Sequence, residues 1–108
     1  MKLTIPERIC IQDYIPSKGL YANMAEVRQV MDGIAFNPEE LETYKIVGLP
    51  NGRVQYDEQA SLGYVVDVPM TEWVTHEVEA ALIERERKSE LPLSHITLYE
   101  KFVIDRSN

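Results

Sequence analysis

The sequence predicts a single α+β domain with N-terminal helices, a three-stranded antiparallel β-meander and two C-terminal helices. Helix-start patterns recur before residue 44 and again after residue 70. Between them, apolar and polar residues alternate with the two-residue period of strands, around an Asn51-Gly52 dipeptide that suits a tight hairpin. Helices that flank an antiparallel sheet are typical of α+β domains.

The first helix is predicted from a capping box. Thr4 can accept a hydrogen bond from the Glu7 amide while the Glu7 side chain reaches back, and Pro6 fits the first turn. We expect this helix to run to about Tyr14, because Pro16 disfavours helical geometry in the residue before it.

Two further helices are predicted before the strands. Asn23–Glu26 repeats the capping pattern and is followed by apolar residues at helical spacing, namely Val27, Val30, Met31 and Ile34. Asn37–Glu40 combines a cap, a proline at the first helical position and carboxylates in the first turn. It predicts a short helix that ends near Thr43.

Three strands are predicted to form the meander. Tyr44–Val47 leads into the hairpin turn at Asn51-Gly52, and Arg53–Asp57 is the return arm. Gly63–Val68 is apolar enough to form a third, partly buried strand, and Pro69 ends it.

Two helices are predicted to complete the domain. Thr71 caps the longer one, whose inward residues are Trp73, Val74, Val78, Ala81 and Leu82, and we expect Trp73, Val78 and Leu82 to face the sheet. Its charged end, Glu84–Lys88, is interpreted as a solvated face. Ser94 is expected to cap the last helix, before Asp105–Asn108 frays. The inward residues of that helix are His95, Leu98, Tyr99, Phe102 and Val103.

Length and composition indicate a single domain that spans residues 1–108. The chain is 44% hydrophobic and 27% charged, which is ordinary for a globular protein. Cys10 is the single cysteine, so no internal disulfide is expected and a reducing compartment is favoured. Met1–Arg8 lacks the apolar stretch of a signal peptide, and no segment has the length of a membrane span. These observations predict a cytoplasmic protein.

The net charge limits the classes of partner. Eleven basic and eighteen acidic residues give a formal charge of −7, spread evenly along the chain. This charge disfavours direct binding to nucleic acid or to anionic membranes. An acidic mimic of nucleic acid remains an alternative, although the densest acidic runs are short.

The side chains that could carry chemistry are few. His76 and His95 are the only imidazoles, and Glu72 and Glu79 are spaced to share a helix face with His76. This placement leaves a metal-dependent factor that uses His76 as an alternative. Neighbouring carboxylates occur by chance in helices this acidic, so no metal site is predicted.

Nucleophilic catalysis and nucleotide binding also lack support in the sequence. Cys10 lies among isoleucines, where burial raises the pKa of a thiol and makes it inert. Asp57 and Glu58 would point to opposite sides of an extended chain, and no glycine-rich loop precedes a helix. The sequence therefore predicts no catalytic residues, no cofactor-binding residues and no cofactor.

Both ends of the chain carry segments that resemble a known group of proteins. Ser94–Val103, with Ile5–Arg8 and Ile15–Gly19, is similar to a family of small proteins of unknown function from tailed phages and prophages of bacteria. The shared motifs are helix caps, a proline-glycine turn and an aromatic helix. The resemblance implies a phage or prophage origin and a bacterial cytoplasm, and it brings no catalytic residues.

The function predicted from these observations is that of a non-enzymatic accessory protein that binds a protein partner. The partner is either another copy, giving a homo-oligomer, or a host or phage factor. The basis is a well-specified fold without a reactive group of side chains. In addition, apolar residues of the first and last helices, including Ile9, Tyr14, Leu98 and Phe102, are expected to exceed what one small sheet covers.

Overall fold

The predicted capping box begins the first helix, and the predicted cap Asn37 begins the third helix with a capping box of its own. In the computed structural model, which describes residues 1–105, the Glu7 amide donates to Thr4 Oγ1 at 3.3 Å and the Thr4 amide donates to Glu7 Oε1 at 2.9 Å. Helix α1 (Ile5–Cys10) follows and continues as a 3₁₀ turn to Asp13. Asn37 forms the same reciprocal pair with Glu40 at the start of the third helix.

Helix α2 (Tyr21–Ile34) begins earlier than the sequence predicts. Its N-cap is Leu20, which makes no side-chain capping bond, and Asn23 lies inside the first turn. The Met24 amide donates to the Leu20 carbonyl at 2.9 Å, so the first turn closes on backbone groups alone. The prediction of Asn23 as a cap was therefore wrong. Helix α3 (Pro38–Thr43) ends where expected.

The predicted hairpin forms, although its strands are shorter than expected. Strands β2 (Val47–Gly48) and β3 (Val54–Gln55) pair antiparallel. The turn is closed by the Leu49 amide, which donates to the Arg53 carbonyl at 2.7 Å. Gly52 has a φ of +83°, which explains the preference for glycine there.

The third strand does not extend this hairpin, so the prediction of a three-stranded meander was wrong. Strand β4 (Val66–Asp67) pairs antiparallel with β1 (Lys2–Leu3), which gives two separate two-stranded sheets within residues 1–105. Turns over residues 58–63, ending in Gly63 with a φ of +79°, redirect the chain away from β3. Leu3 is fully buried, so the pairing covers an apolar side chain that the hairpin does not reach.

Helix α4 (Glu72–Arg87) begins at Thr71, whose Oγ1 accepts from the Val74 amide at 3.1 Å. Val74, Val78 and Leu82 are fully buried, as predicted. The helix packs mainly against α2 and the C-terminal helical segment, and Leu3 and Val68 of the β1–β4 region belong to the same core cluster, so the sheet is only a small part of what this face covers. The physical reason is that four two-residue strands offer too little surface to cover a helix of 16 residues.

The C-terminal helical segment, residues 93–104, consists of three short parts. A 3₁₀ turn (Leu93–His95) leads into α5 (Ile96–Tyr99) and then into a π turn (Glu100–Ile104). Pro92 occupies the N-cap position and makes no side-chain bond, so Ser94 is not the cap that the sequence predicts. The predicted inward face is confirmed, because His95, Leu98 and Phe102 are buried and the other two are half-buried. Of the predicted frayed end, residues 106–108 lie outside the described residues.

The core is continuous through all of these elements. Most of its fully buried side chains come from the helices, and Leu3 and Val68 come from beside the β1–β4 pair. The result is one compact α+β domain with extents of 34 × 32 × 30 Å. None of the helices within residues 1–105 is long and apolar enough to cross a membrane.

Two helices end in the left-handed conformation without glycine. After α4, Ser89 has a φ of +58° and its amide donates to the Glu86 carbonyl, while the Glu90 amide donates to the Arg85 carbonyl at 3.0 Å. This pair of bonds is a Schellman motif. After α3, Lys45 has a φ of +52°, and the next amide, that of Ile46, donates to the Leu41 carbonyl at 3.0 Å.

Replacing Ser89 by glycine is expected to stabilise the protein by about 0.5–1 kcal/mol. The left-handed conformation costs a residue with a Cβ roughly 1–2 kcal/mol, whereas the added freedom of glycine in the unfolded chain costs about 0.4–1 kcal/mol. Urea unfolding measures the difference. Ser17→Gly is the control, because Ser17 is exposed and is not a positive-φ residue. Equal effects of the two substitutions would contradict this account.

Candidate functional site

The structure brings two of the sequence candidates into one surface groove. The α2–α4 groove, as we name it, has a volume of about 510 Å³ and is lined by Glu26, Glu72, Trp73 and His76. Glu72 and His76 are four residues apart on α4 and therefore lie on one face. Glu26 comes from α2, which packs against α4.

The polar groups of this groove have no partners within residues 1–105. Glu26, Glu72 and His76 make no hydrogen bond or ion pair there, and Glu72 and His76 are exposed to solvent. Trp73 is half-buried and packs against the edge of the core. One groove thus presents an aromatic ring and two unpaired carboxylates, which together suit a cationic side chain.

The groove does not have the arrangement of a metal centre. No group of three or more His, Cys, Asp or Glu side chains within residues 1–105 is placed to hold a metal ion. Glu79, which the sequence places near His76, is half-buried and is not among the residues that line the groove.

Cys10 is half-buried at the end of α1. Burial raises the pKa of its thiol, and the negative charges of Asp13 and Glu7 raise it further. Its Sγ lies 3.9 Å from the Ser94 carbonyl oxygen, to which the thiol donates. A protonated thiol is a poor nucleophile, which agrees with the inert thiol expected from the sequence around Cys10.

Asp57 and Glu58 lie in the link that follows β3. The Asp57 amide donates to the Tyr44 carbonyl at 2.8 Å, and Asp57 Oδ1 accepts from the Ala60 amide at 3.0 Å. The Asp57 carboxylate therefore closes a turn.

A buried ion pair, which sequence reasoning missed, fixes α1 to the start of α3. Arg8 donates to both carboxylate oxygens of Glu40, at 2.7 and 3.0 Å, and both side chains are almost fully buried. Arg8 also donates to the carbonyls of Ile34 and Ala35, at 3.1 and 2.8 Å. Tyr64 donates to Glu40 at 2.5 Å. The guanidinium is thereby held at the C-terminus of α2, where the helix dipole favours a positive charge.

These contacts change the acidity of the groups involved. The pKa of Glu40 falls from 4.5 to about 2, mainly because of the hydrogen bonds from Arg8. Hydrogen bonds from the Tyr64 hydroxyl and the Asn37 amide also lower it. The hydrogen bond to Glu40 raises the pKa of Tyr64 to about 12. The carboxylate therefore remains charged at neutral pH, and its attraction to Arg8 stabilises the fold rather than a reaction.

A second groove, of about 500 Å³, lies between α1, residues 56–63 and the C-terminal helical segment. Its buried carboxylate, Glu7, and its cation, Lys101, are already paired with each other. Glu7 is 4% exposed and accepts from Lys101 Nζ at 2.6 Å, and the same Nζ donates to the Lys2 carbonyl at 2.8 Å. Burial acts to raise the pKa of Glu7, but hydrogen bonds from Lys101, Thr4 and Thr97 together hold it below 4.5. The α2–α4 groove is the better candidate because it sets an indole ring beside two carboxylates that have no partner within residues 1–105.

Comparison of the chain with protein-family models, with curated proteins and with solved structures finds no match. The inference of function therefore rests on the chemistry of the groove.

The apolar surface differs from the one that the sequence predicts. Tyr14, Leu98 and Phe102 are buried and Ile9 is half-buried, so the expectation that they form a leftover patch was wrong. The C-terminal helical segment packs against α1 and α4, and this helix packing covers them where a sheet does not. The most exposed large apolar side chains within residues 1–105 lie elsewhere, at Leu20, Tyr21, Leu62 and Leu93.

Proposed function

We propose that the protein is a non-enzymatic interaction module that receives a lysine or arginine side chain of a partner protein in the α2–α4 groove. The observation that carries this proposal is that the Trp73 indole and the unpaired carboxylates of Glu26 and Glu72 line the same groove. A cation over an indole face gains about 0.5–2 kcal/mol. Each carboxylate adds a weaker attraction of about 0.2–1 kcal/mol at such an exposed position.

The overall charge supports a basic partner. A formal charge of −7 attracts a cationic surface and accelerates its association, whereas it repels phosphate backbones and anionic lipids. The same charge disfavours a second copy of this chain as the occupant, because the copy would present carboxylates to carboxylates.

Exposed apolar side chains at the start of α2 support a contact larger than one side chain. Leu20 and Tyr21 are 76% and 83% exposed at the start of α2. Tyr21 lies about 7.5 Å along the helix axis from Glu26, at a rise of about 1.5 Å per residue. Five positions also turn the helix by about 140°, so Tyr21 lies on another face of α2 than Glu26. A partner that extends from the groove around the start of α2 would bury this aromatic side chain as an apolar anchor.

The biological setting follows from the resemblance at the two ends of the chain. Under this proposal the protein acts in the cytoplasm of a bacterium that carries the phage or prophage. The partner is then a basic host or phage protein. A nucleic-acid-handling protein would satisfy this description, in which case the module is an acidic mimic that competes with nucleic acid.

Titration with a tetra-arginine peptide, followed by tryptophan fluorescence, tests the groove. Trp73 is the single tryptophan, so its emission reports on this position. We expect saturable binding that weakens as ionic strength rises, and none by a tetra-citrulline peptide, which keeps the shape without the charge. Glu72→Gln is expected to weaken binding by about two- to fivefold.

Glu42→Gln is the matched control, because Glu42 is exposed on α3 and lies outside the groove. If Glu42→Gln and Glu72→Gln weaken binding equally, the peptide responds to net charge alone. That outcome would overturn the groove as a site and favour association through net charge alone.

A further inference from the structure

A buried polar cluster links the C-terminal helical segment to the rest of the domain. Tyr14 Oη lies 2.6 Å from His95 Nδ1, and Arg85 Nη1 donates to the same hydroxyl at 3.1 Å. Tyr14 and His95 are 5% and 8% exposed, and their rings meet edge to face with centroids 5.5 Å apart. The Arg85 guanidinium lies 5.6 Å from the centroid of the Tyr14 ring.

The donors and acceptors of this cluster define one protonation state. Arg85 can only donate, so the Tyr14 oxygen accepts from it. We assign the Tyr14 hydroxyl as the donor to His95 Nδ1, because this assignment alone gives the buried Tyr14 proton an acceptor among the contacts of residues 1–105. The His95 ring is therefore neutral, and Tyr14 keeps its proton because burial raises its pKa.

Protonation of His95 removes the acceptor of this bond. The Tyr14 hydroxyl then faces two donors, and its own proton has no partner in a buried site, which is costly. A second positive charge is also placed beside Arg85. The groups that face His95 are Tyr14 and Asp13 from the turn after α1, and Arg85 from α4. Asp13 is exposed and opposes the effect only in part.

We propose that protonation of His95 detaches the C-terminal helical segment from α1 and α4. Leu98 and Phe102 are fully buried while the segment is docked, and they become exposed when it detaches. Mild acid thus converts a covered apolar face into an accessible one. The cluster lies apart from the residues that line the α2–α4 groove, so this inference does not depend on the proposed function.

The direction of the pH effect follows from the pKa of His95. Burial lowers this pKa below 6.5, and the charge of Arg85 lowers it further. In a detached segment His95 binds a proton at its ordinary pKa of 6.5, whereas in the docked segment it binds one only at a lower pH. The stabilisation is therefore complete above pH 6.5 and is lost as the pH falls through the pKa of the docked state.

Hydrogen exchange of the full chain at pH 7.0 and pH 5.5, corrected for intrinsic exchange, tests the proposal. Protection of amides in the C-terminal helical segment should fall by up to about tenfold per pH unit over the window in which only the detached state is protonated. Amides of α2 should keep their protection. An equal loss throughout the chain would overturn segment detachment.

Asparagine at position 95 is the informative variant, because its amide can accept near the Nδ1 position and does not titrate. His95→Asn should remove the pH dependence, whereas His76→Asn should preserve it, since His76 is the exposed one of the two histidines. If His95→Asn does not fold, the pKa of His95 in the wild type, measured by NMR titration, tests the proposal instead. A pKa at or above 6.5, or loss of protection that does not follow His95, would overturn the proposal.

Discussion

Arg8→Met is expected to lower the free energy of unfolding by about 3–5 kcal/mol, because it leaves the Glu40 carboxylate buried without its cation. Arg8 donates to both carboxylate oxygens of Glu40 and to two backbone carbonyls, so one substitution removes four hydrogen bonds. Urea unfolding at pH 7 measures the loss. Arg28→Met, at an exposed position of α2, is the matched control and should change stability by less than about 0.5 kcal/mol.

The acid branch of the stability curve gives a second readout of the same ion pair. Because the pKa of Glu40 falls from 4.5 to about 2 on folding, its stabilisation is present above pH 4.5 and is lost as the pH falls towards 2. Arg8→Met should flatten this part of the curve. The double variant Arg8→Met with Glu40→Met should recover much of the lost stability, because no charge is then left unpaired. A single variant that costs less than about 1 kcal/mol would show that the pair is solvated in solution.

Leu82→Ala is expected to cost about 2–5 kcal/mol, because Leu82 is fully buried where α4 meets the core. The lost methyl groups leave a cavity that the neighbouring helices fill only in part. Thermal unfolding should report a fall in Tm of roughly 4–8 °C for each kcal/mol. Ile83→Ala, at the next position and 40% exposed, is the control and should cost far less. Equal losses would place the wrong face of α4 in the core.

The sequence predicts those parts of the fold that depend on near neighbours. The Thr4 capping box, the Asn37 cap, the Asn51-Gly52 hairpin and the buried face of α4 are confirmed, and each depends on residues within a few positions of one another. The left-handed ends of α3 and α4 give no signal in the sequence, because they use Lys45 and Ser89 where glycine is the usual residue.

Pairings between distant segments could not be predicted from the sequence. The partner of β4 is β1, which is too short to show a two-residue period. The contact between Arg8 and Glu40 is also set by tertiary packing, because both residues have local explanations as ordinary helix positions. For the candidate site, helical spacing places Glu72 beside His76, but Glu26 reaches the groove only through the crossing of α2 over α4.

The pairing of β1 with β4 has a consequence for the order in which the protein folds. It joins the start of the chain to Asp67, 66 positions away, so closing this loop costs more chain entropy than forming any helix or the hairpin. Contacts of such high sequence separation tend to be absent from the folding transition state unless they belong to its nucleus. The hairpin and α4 are therefore expected to form first. Weakening the β1–β4 pair should then accelerate unfolding while leaving the folding rate nearly unchanged.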